Sequence, residues 1–360
     1  MIGNGSFYAL PFWQRYTNVR RIQRLYRSLL GPLSPGVTRA ILAGAATLAI
    51  AACVPAGQNP PPPQKADNPS FATAAKNPFG FVPIASNLPV APAFADIDGN
   101  GTADLFAGAG GEGNGSQIGT GGVIKYYVNT GSPTAPSFAG GADFPGLPDA
   151  QTTFTNMNPV PVLAPLHGGT SFDALIGHSP GPNSSPSLEY YVNGGSSFIG
   201  ATPPLTTTPG TDITATVVDI NGDGLLDVFV STSDGSVNTI DYFKNTGTSS
   251  APAFTDETTS LGIDLPAGSA YGYPTFVDIN GDGTYDAFVG DEHGDIYYFK
   301  NTGTPTAPQF AAPVKDPFNI TAVPLGPAVP AFVDIDHDGD FDLFVGDGNG
   351  DLWFYKNTNF

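Results

Sequence analysis

The chain has a single cysteine, Cys53, among its 360 residues, so no intrachain disulfide can staple the fold. Arginine is confined to the first 53 residues, where all six occur. Beyond them seven lysines face 32 acidic residues, a formal charge of −25. Phosphate and nucleic-acid sites rely on clustered Arg and Lys, so no nucleic-acid partner is expected. Histidine is scarce, with only His167, His178, His293 and His337. No Gly-x-Ser-x-Gly, His-Glu-x-x-His or Cys/His pairing occurs, which removes the common signatures of hydrolases and zinc enzymes. The Gly-rich stretch 108–115 lacks the Gly-Lys-Ser/Thr of a P-loop and reads as a surface insertion. No apolar run reaches the roughly 20 residues of a membrane-spanning helix.

What recurs is a nonapeptide. Asp219-Ile-Asn-Gly-Asp-Gly-Leu-Leu-Asp227 has side-chain oxygens at its first, third, fifth and ninth places (Asp219, Asn221, Asp223, Asp227) and Gly224 at the sixth. Three further copies carry Asp96, Asp98, Asn100 and Asp104; Asp278, Asn280, Asp282 and Asp286; and Asp334, Asp336, Asp338 and Asp342. Calcium takes six to eight oxygen ligands, and a loop alternating Asp/Asn with small residues can wrap one ion. The sixth-place glycine permits the sharp turn this requires. Four calcium sites are therefore expected.

These are not EF-hands. The acidic ligand an EF-hand needs at the twelfth place is replaced by Ala107, Val230, Val289 and Val345. The flanks, such as Val217-Val218 and Phe276-Val277, are β-branched and aromatic and favour strands. The four loops hold three, three, three and five carboxylates. Two unit charges 4 Å apart repel by about 1 kcal/mol even in water, so an ion should stabilise such loops. A merely solvated acidic face does not explain the fixed spacing.

The repeat period follows from the ninth-place Asp, which recurs at Asp104, Asp173, Asp227, Asp286 and Asp342 with spacings of 69, 54, 59 and 56. A second marker, two aromatics, one residue and Asn, appears at Tyr126-Tyr127, Tyr190-Tyr191, Tyr242-Phe243, Tyr298-Phe299 and Phe354-Tyr355. There are thus five units but four metal loops. In the second unit the ligand places fall on Pro165, His167, Gly169 and Asp173, which cannot make the same site. That unit should fold without an ion, held by Leu175, Ile176 and its tyrosine pair.

Each unit reads as strand, loop, strand, turn, strand, Asn-Thr-Gly-type turn and a Pro-x-Phe strand (Pro136/Phe138, Pro252/Phe254, Pro308/Phe310). Four antiparallel strands per unit predict an all-β protein, a five-bladed β-propeller over residues 77–360, whose blades must stack to bury their faces. The aromatic pairs read as packing between blades. Asn77-Pro-Phe-Gly-Phe-Val-Pro83 is similar to the segment from Asp316 that precedes the last unit. The N-terminal segment is therefore expected to supply the outer strand of the final blade and close the ring.

With Asp-Ile-Asp/Asn-Gly-Asp-Gly-x-x-Asp and Asn-Thr-Gly quoted, the chain resembles the FG-GAP/VCBS repeat family, known from integrin α-subunit propellers and bacterial surface proteins. The resemblance covers residues 77–360 and implies calcium held by the loop side chains plus a seventh-place backbone carbonyl. Here those carbonyls belong to Thr102, Leu225, Thr284 and Asp340. It does not specify a function.

Residues 1–53 pair six arginines and no acid with the apolar run Ala40–Ile50 and the ending Ala51-Ala52-Cys53, the pattern of an export signal. The ending resembles a bacterial lipobox, which would make Cys53 the lipid-attachment residue of a protein anchored in the cell envelope, periplasmic or at the surface. The alternative is an ordinary secretory signal with an incidental cysteine. The basic region is long, and a start near Leu33 or Val37 would shorten it. Residues 54–76, with Pro60–Pro63, read as an extended spacer.

In an antiparallel blade the metal loops share one face and the strand-two-to-three turns share the other. The insertions 108–122 and 178–187, and Tyr271 and Tyr273, fall on that second face. His178 and His293 read as exposed turn residues there. The resemblance to integrin propellers, which bind ligands on this face, implies an extracellular glycan or protein ligand as its partner, with a membrane reached through the lipid anchor; functionless decoration is the alternative. A calcium-dependent polysaccharide-active enzyme such as a lyase competes with this reading. It would need groups to neutralise a uronate and abstract a proton, commonly Arg, Lys, Tyr or His, and the chain has no Arg after residue 53. No catalytic residue is assigned.

Overall fold

The computed structural model describes residues 69–84, 88–110, 122–147, 158–169, 171–178, 187–203, 205, 212–233, 238–257 and 261–358. Short runs rich in apolar, β-branched and aromatic residues between Gly- and Pro-rich turns set up the strands, and these assemble into five four-stranded antiparallel sheets. Blade one contains β2 (Val90–Ala95), β3 (Asp104–Ala109), β4 (Val123–Asn129) and β5 (Phe138–Asp143). Blade two contains β6 (Val160–Ala164), β7 (Asp173–His178), β8 (Ser187–Asn193) and β9 (Phe198–Ala201). Blade three contains β10 (Asp212–Val218), β11 (Asp227–Ser233), β12 (Asn238–Asn245) and β13 (Phe254–Asp256). Blade four contains β14 (Gly272–Val277), β15 (Asp286–Asp291), β16 (Ile296–Phe299) and β17 (Val314–Lys315). Blade five contains β18 (Val329–Val333), β19 (Asp342–Gly346) and β20 (Leu352–Tyr355), and its fourth strand is β1 (Ala75–Lys76).

The first strands of all five blades surround a narrow axial cavity of about 60 Å³. Four of them place a proline on its wall, Pro92, Pro161, Pro274 and Pro330. An innermost strand has no next neighbour to bond, and proline removes one N–H from that open edge. Each blade then packs on the next through its own apolar cluster. One cluster joins Phe288 and Tyr298 of blade four to Phe332 and Tyr355 of blade five, and another joins Phe344 and Phe354 of blade five to Phe94 and Tyr127 of blade one. The two members of an aromatic pair point to opposite neighbours, as Tyr298 and Phe299 do. The expected packing role of the pairs is therefore met.

Close approach of blades also explains a recurring glycine of the second strand. A Cβ on Gly346 would lie 1.9 Å from the carbonyl oxygen of Val90, and one on Gly290 2.0 Å from that of Ala328. No side chain larger than hydrogen fits without moving the neighbouring blade.

The ring closes as the repeats imply. Ala75 and Lys76 pair antiparallel with Phe354 and Trp353. Asn77 accepts from Leu352 N and donates from its own N to Leu352 O, as Asp316 does with Ile296 in blade four. The propeller also begins earlier than residue 77. Phe71 is buried in the core between blades four and five and bridges to Asn357, so residues 71–76, read from their composition as spacer, belong to the last blade. A single buried aromatic in a polar run was enough to anchor it. In blade four Phe310 forms only an isolated bridge to Asn301, and the outer strand is displaced to Val314–Lys315. Pro308 and Pro313 lack the N–H groups a continuous ladder would need there.

The signal segment 1–53 with Cys53, the spacer up to residue 68, and most of the insertions 108–122 and 178–187 lie outside the described residues.

Candidate functional site

The four nonapeptides share one wound conformation. The sixth-place glycine N donates to the first-place Asp in every copy: Gly101 to Asp96, Gly224 to Asp219 and Gly283 to Asp278 at 2.9 Å, and Gly339 to Asp334 at 3.1 Å. The seventh-place N donates to the fifth-place oxygen, Thr102 to Asn100, Leu225 to Asp223, Thr284 to Asp282 and Asp340 to Asp338. These bonds turn the first, third and fifth side chains towards one another. In blade five the carboxylate oxygens of Asp334, Asp336 and Asp338 lie within 4.8 Å of one another. The sixth-place glycines have φ of +87° to +98°, as the sharp turn requires. The fourth place is left-handed too, at Gly99, Gly222, Gly281 and His337.

The ninth-place Asp does something the loop pattern alone did not suggest. Asp104, Asp227, Asp286 and Asp342 are fully buried, and each accepts a backbone hydrogen bond at 2.7–2.8 Å from the Asn of the aromatic marker: Asn129, Asn245, Asn301 and Asn357. In blades one, three and four the other oxygen accepts from a tyrosine hydroxyl, Tyr126, Tyr242 or Tyr298. Third-place Asn221 and Asn280 donate to it as well. The marker Asn returns the favour by donating its amide to the eighth-place carbonyl, at Ala103, Leu226, Tyr285 and Phe341. This reciprocal latch ties strand two to strand three. Its signal was present in the sequence, because an aromatic three residues before Asn recurs wherever the ninth-place Asp recurs.

Blade two keeps the aspartate's half of the latch and discards the loop. Asp173 accepts from Asn193 N at 3.0 Å and from the hydroxyl of Tyr190 at 3.1 Å. His167, at the third place, adds its backbone N at 3.1 Å and sets Nδ1 3.0 Å from the same carboxylate. Tyr190 also contacts His167 Nδ1. An imidazole thus stands at the third place, where the other blades have Asp or Asn.

Burial makes the remaining loops electrostatically unbalanced. It pushes Asp104, Asp278 and Asp334 up to about 6, Asp227 and Asp286 to about 7, and Asp342 to about 8, despite hydrogen bonds that act the other way. Asp96, Asp219 and Asp340 are raised for the same first reason. Buried oxygens of Asp96 (Oδ1), Asp336 (Oδ1), Asp340 (Oδ2) and Asp342 (Oδ2) have no hydrogen-bond partner. Buried polar atoms are otherwise almost always paired. Hard anionic oxygens at close quarters, some without donors, fit a hard cation. In blade five the place of the latch tyrosine is taken by Phe354, which leaves Asp342 Oδ2 without its donor.

The second face carries a different cluster. Asp291, Glu292 and His293 bring their ligand atoms within 4.8 Å of one another. Their oxygens are engaged, however. Asp291 accepts from the backbone of His293 and Asp295 and from Ser269 Oγ, and Glu292 accepts from the backbone N of Ala270 and Tyr271. The cluster therefore fixes the loop that carries Tyr271 to Tyr273, and Tyr273 lines the axial cavity. His293 is exposed, as expected. His178 is not: it is 2 % exposed, at the end of β7, with Nε2 3.4 Å from Glu189. The reading of His178 as an exposed turn residue is corrected by this pairing, since strand two runs through His178, which pairs with Ser187. Tyr191 also donates to Glu189.

The FG-GAP-like repeat model matches residues 219–289 and 278–345, so blades three to five carry FG-GAP-like repeats. No curated protein matches the chain. Among solved structures, fructan 1-exohydrolase IIa from Cichorium intybus aligns with 81% of this chain and 57% of its own at 10% identity, with a TM-score of 0.47. An Agrocybe aegerita lectin that recognises non-reducing terminal N-acetylglucosamine aligns over 79% of this chain and 83% of its own at 15% identity, TM-score 0.36. The rhamnogalacturonan lyase of Bacillus licheniformis aligns over 81% and 61% at 12% identity, TM-score 0.32. The chain thus spans little more than half the length of the first of them. At this similarity none of the three assigns it an activity.

Proposed function

We propose that this FG-GAP-like propeller is an exported, calcium-binding surface module that presents its second face to an extracellular glycan or protein. Four ions would be held by Asp96, Asp98, Asn100, Asp104 and the Thr102 carbonyl; by Asp219, Asn221, Asp223, Asp227 and the Leu225 carbonyl; by Asp278, Asn280, Asp282, Asp286 and the Thr284 carbonyl; and by Asp334, Asp336, Asp338, Asp342 and the Asp340 carbonyl. Bound calcium supplies the countercharge that these loops lack. The observation that carries the calcium reading is the set of buried loop oxygens without partners, in Asp96, Asp336, Asp340 and Asp342. A carboxylate oxygen accepts more than one bond, so the latch leaves the ninth-place Asp able to serve both purposes.

Cys53 would anchor the module to the bacterial envelope through lipid, with the residues after it as tether. A binding role for the second face is supported by the way Glu292 and Asp291 immobilise the loop bearing Tyr271 and Tyr273 at the mouth of the axial cavity. A rigid aromatic loop loses little entropy on binding. The second reading, a calcium-dependent polysaccharide-active enzyme such as a lyase, draws on His178 and Tyr191 meeting at Glu189 on the same face.

The test is retention of the soluble protein on a broad glycan panel, in calcium and then in chelator. Calcium-dependent retention supports the module, and the retained glycan is then assayed for turnover to separate lectin from enzyme. Absence of retention by a protein that is folded in calcium removes both carbohydrate readings and leaves a protein ligand.

A further inference from the structure

The fifth-blade loop differs from the other three in a way that concerns Lys356. This lysine directly precedes the latch residue Asn357, and its ammonium reaches into the loop. It contacts Asp336 Oδ2 and lies 2.9 Å from Asp338 Oδ2. Those are the third and fifth ligand places. Among the described residues no other ammonium is paired with a nonapeptide carboxylate: Lys76, Lys125 and Lys315 pair with Asp351, Asp143 and Asp295. Lys244 and Lys300 stand at the same place in blades three and four, and valines stand there in blades one and two.

The reason is local. The loops of blades three and four have a neutral Asn at the third place and Leu or Thr at the seventh, whereas blade five has Asp336 and Asp340. Five carboxylates crowd one turn of chain, and the long lysine stem lets its charge move into their field. Even so, oxygens of Asp336, Asp340 and Asp342 remain buried without partners, so one ammonium does not satisfy the loop.

Resting on the calcium reading above, we infer that Lys356 is an internal counter-ion of loop 334–342, which calcium must displace, and that this lysine sets the affinity of that one site. In the ion-free protein Lys356 holds the loop in its wound form. On ion binding its ammonium leaves Asp336 and Asp338 for solvent. The blade that closes the ring is then the one whose ion exchanges through a lysine already attached to the protein.

The test is calorimetric titration of the full chain with calcium chloride at low ionic strength, for wild type, Lys356→Met, Lys356→Arg and, as control, Lys300→Met. Removing the competing charge in Lys356→Met is expected to tighten one site about tenfold, while Lys356→Arg and Lys300→Met leave the isotherm near wild type. Hydrogen exchange in chelator is expected to rise over residues 334–342 in Lys356→Met alone. Should that variant unfold in chelator, release of calcium from the loaded protein reads the same competition, and slower release than wild type is expected. Unchanged affinity and unchanged release in Lys356→Met, with calcium bound by every chain, overturn the lysine's role and leave the calcium reading standing. If no chain binds calcium, the calcium reading fails and the displacement fails with it.

Discussion

Blade two and its four companions solve the same problem with different chemistry. All five must join strand two to strand three around a buried aspartate, and all five do so through the backbone N of an asparagine: Asp173 with Asn193, and Asp227 with Asn245, for example. Four blades then pack further carboxylates into the preceding loop. Blade two instead places His167 on its aspartate, beside the tyrosine hydroxyl that blades one, three and four also use, and packs no further carboxylate into the loop. The difference separates two roles that the nonapeptide merges. The ninth-place aspartate is part of the fold in all five blades, and the first, third and fifth places are what the proposed ion adds to it in four.

The largest effect expected from this division is chelation. An ion present at about 100 times its Kd contributes roughly 2.7 kcal/mol per site. Stripping calcium should therefore lower the thermal unfolding midpoint by far more than any single substitution, and readdition should restore it. A midpoint indifferent to chelator would place the four loops in the same class as blade two.

Next come the latches. Asp286→Ala removes the acceptor of the buried N of Asn301 and one partner of the Tyr298 hydroxyl, and Asp173→Ala removes the acceptor of Asn193 N and one partner of the Tyr190 hydroxyl. Each should cost about 2–4 kcal/mol by denaturant unfolding in chelator. The pair diverges in calcium: Asp286→Ala loses a ligand and worsens, while Asp173→Ala keeps the same deficit. Equal behaviour of the two in calcium would deny the ninth place any share in the ion.

A smaller effect is a pH dependence that calcium abolishes. Burial raises Asp104 to about 6, Asp227 and Asp286 to about 7 and Asp342 to about 8, whereas unfolded aspartates titrate near about 4. Without an ion the folded chain thus holds more protons than the unfolded chain between about pH 4 and 8. Stability in chelator is accordingly greatest towards pH 4–5 and declines as pH rises through 6 to 8. Calcium requires the deprotonated carboxylates, so in saturating calcium neither state holds these protons between about pH 6 and 8 and stability should be flat over that interval. Melts at pH 5, 6, 7 and 8 with and without calcium measure both slopes.

Smallest is Phe354→Tyr. It supplies blade five with the hydroxyl that its siblings direct at the ninth-place aspartate, and Asp342 Oδ2 has no other partner. A gain of up to about 1 kcal/mol in chelator is expected, shrinking in calcium if the ion already uses that oxygen.

Much of this was legible in the residues. The period of the ninth-place Asp and of the aromatic-x-Asn marker predicted five blades, and the likeness of Asn77-Pro-Phe to Asp316-Pro-Phe predicted the closing strand, because both are local patterns repeated in register. What was hidden depended on meetings across the sheet. Tyr298 recurs in step with Asp286, but only the pairing across the sheet shows that its hydroxyl lands on that carboxylate, and nothing near Lys356 places its ammonium at Asp336. Phe71 read as spacer because one aromatic in a polar run has no periodicity of its own. His178 read as a turn residue because the strand end is set by its pairing with Ser187 rather than by composition.

Hydrogen exchange followed by mass spectrometry, with calcium and then with chelator, tests the division between the blades most directly. Residues 96–104, 219–227, 278–286 and 334–342 should gain protection in calcium, while residues 165–173 exchange alike in both conditions. Equal calcium sensitivity of all five segments, or of none, would contradict it.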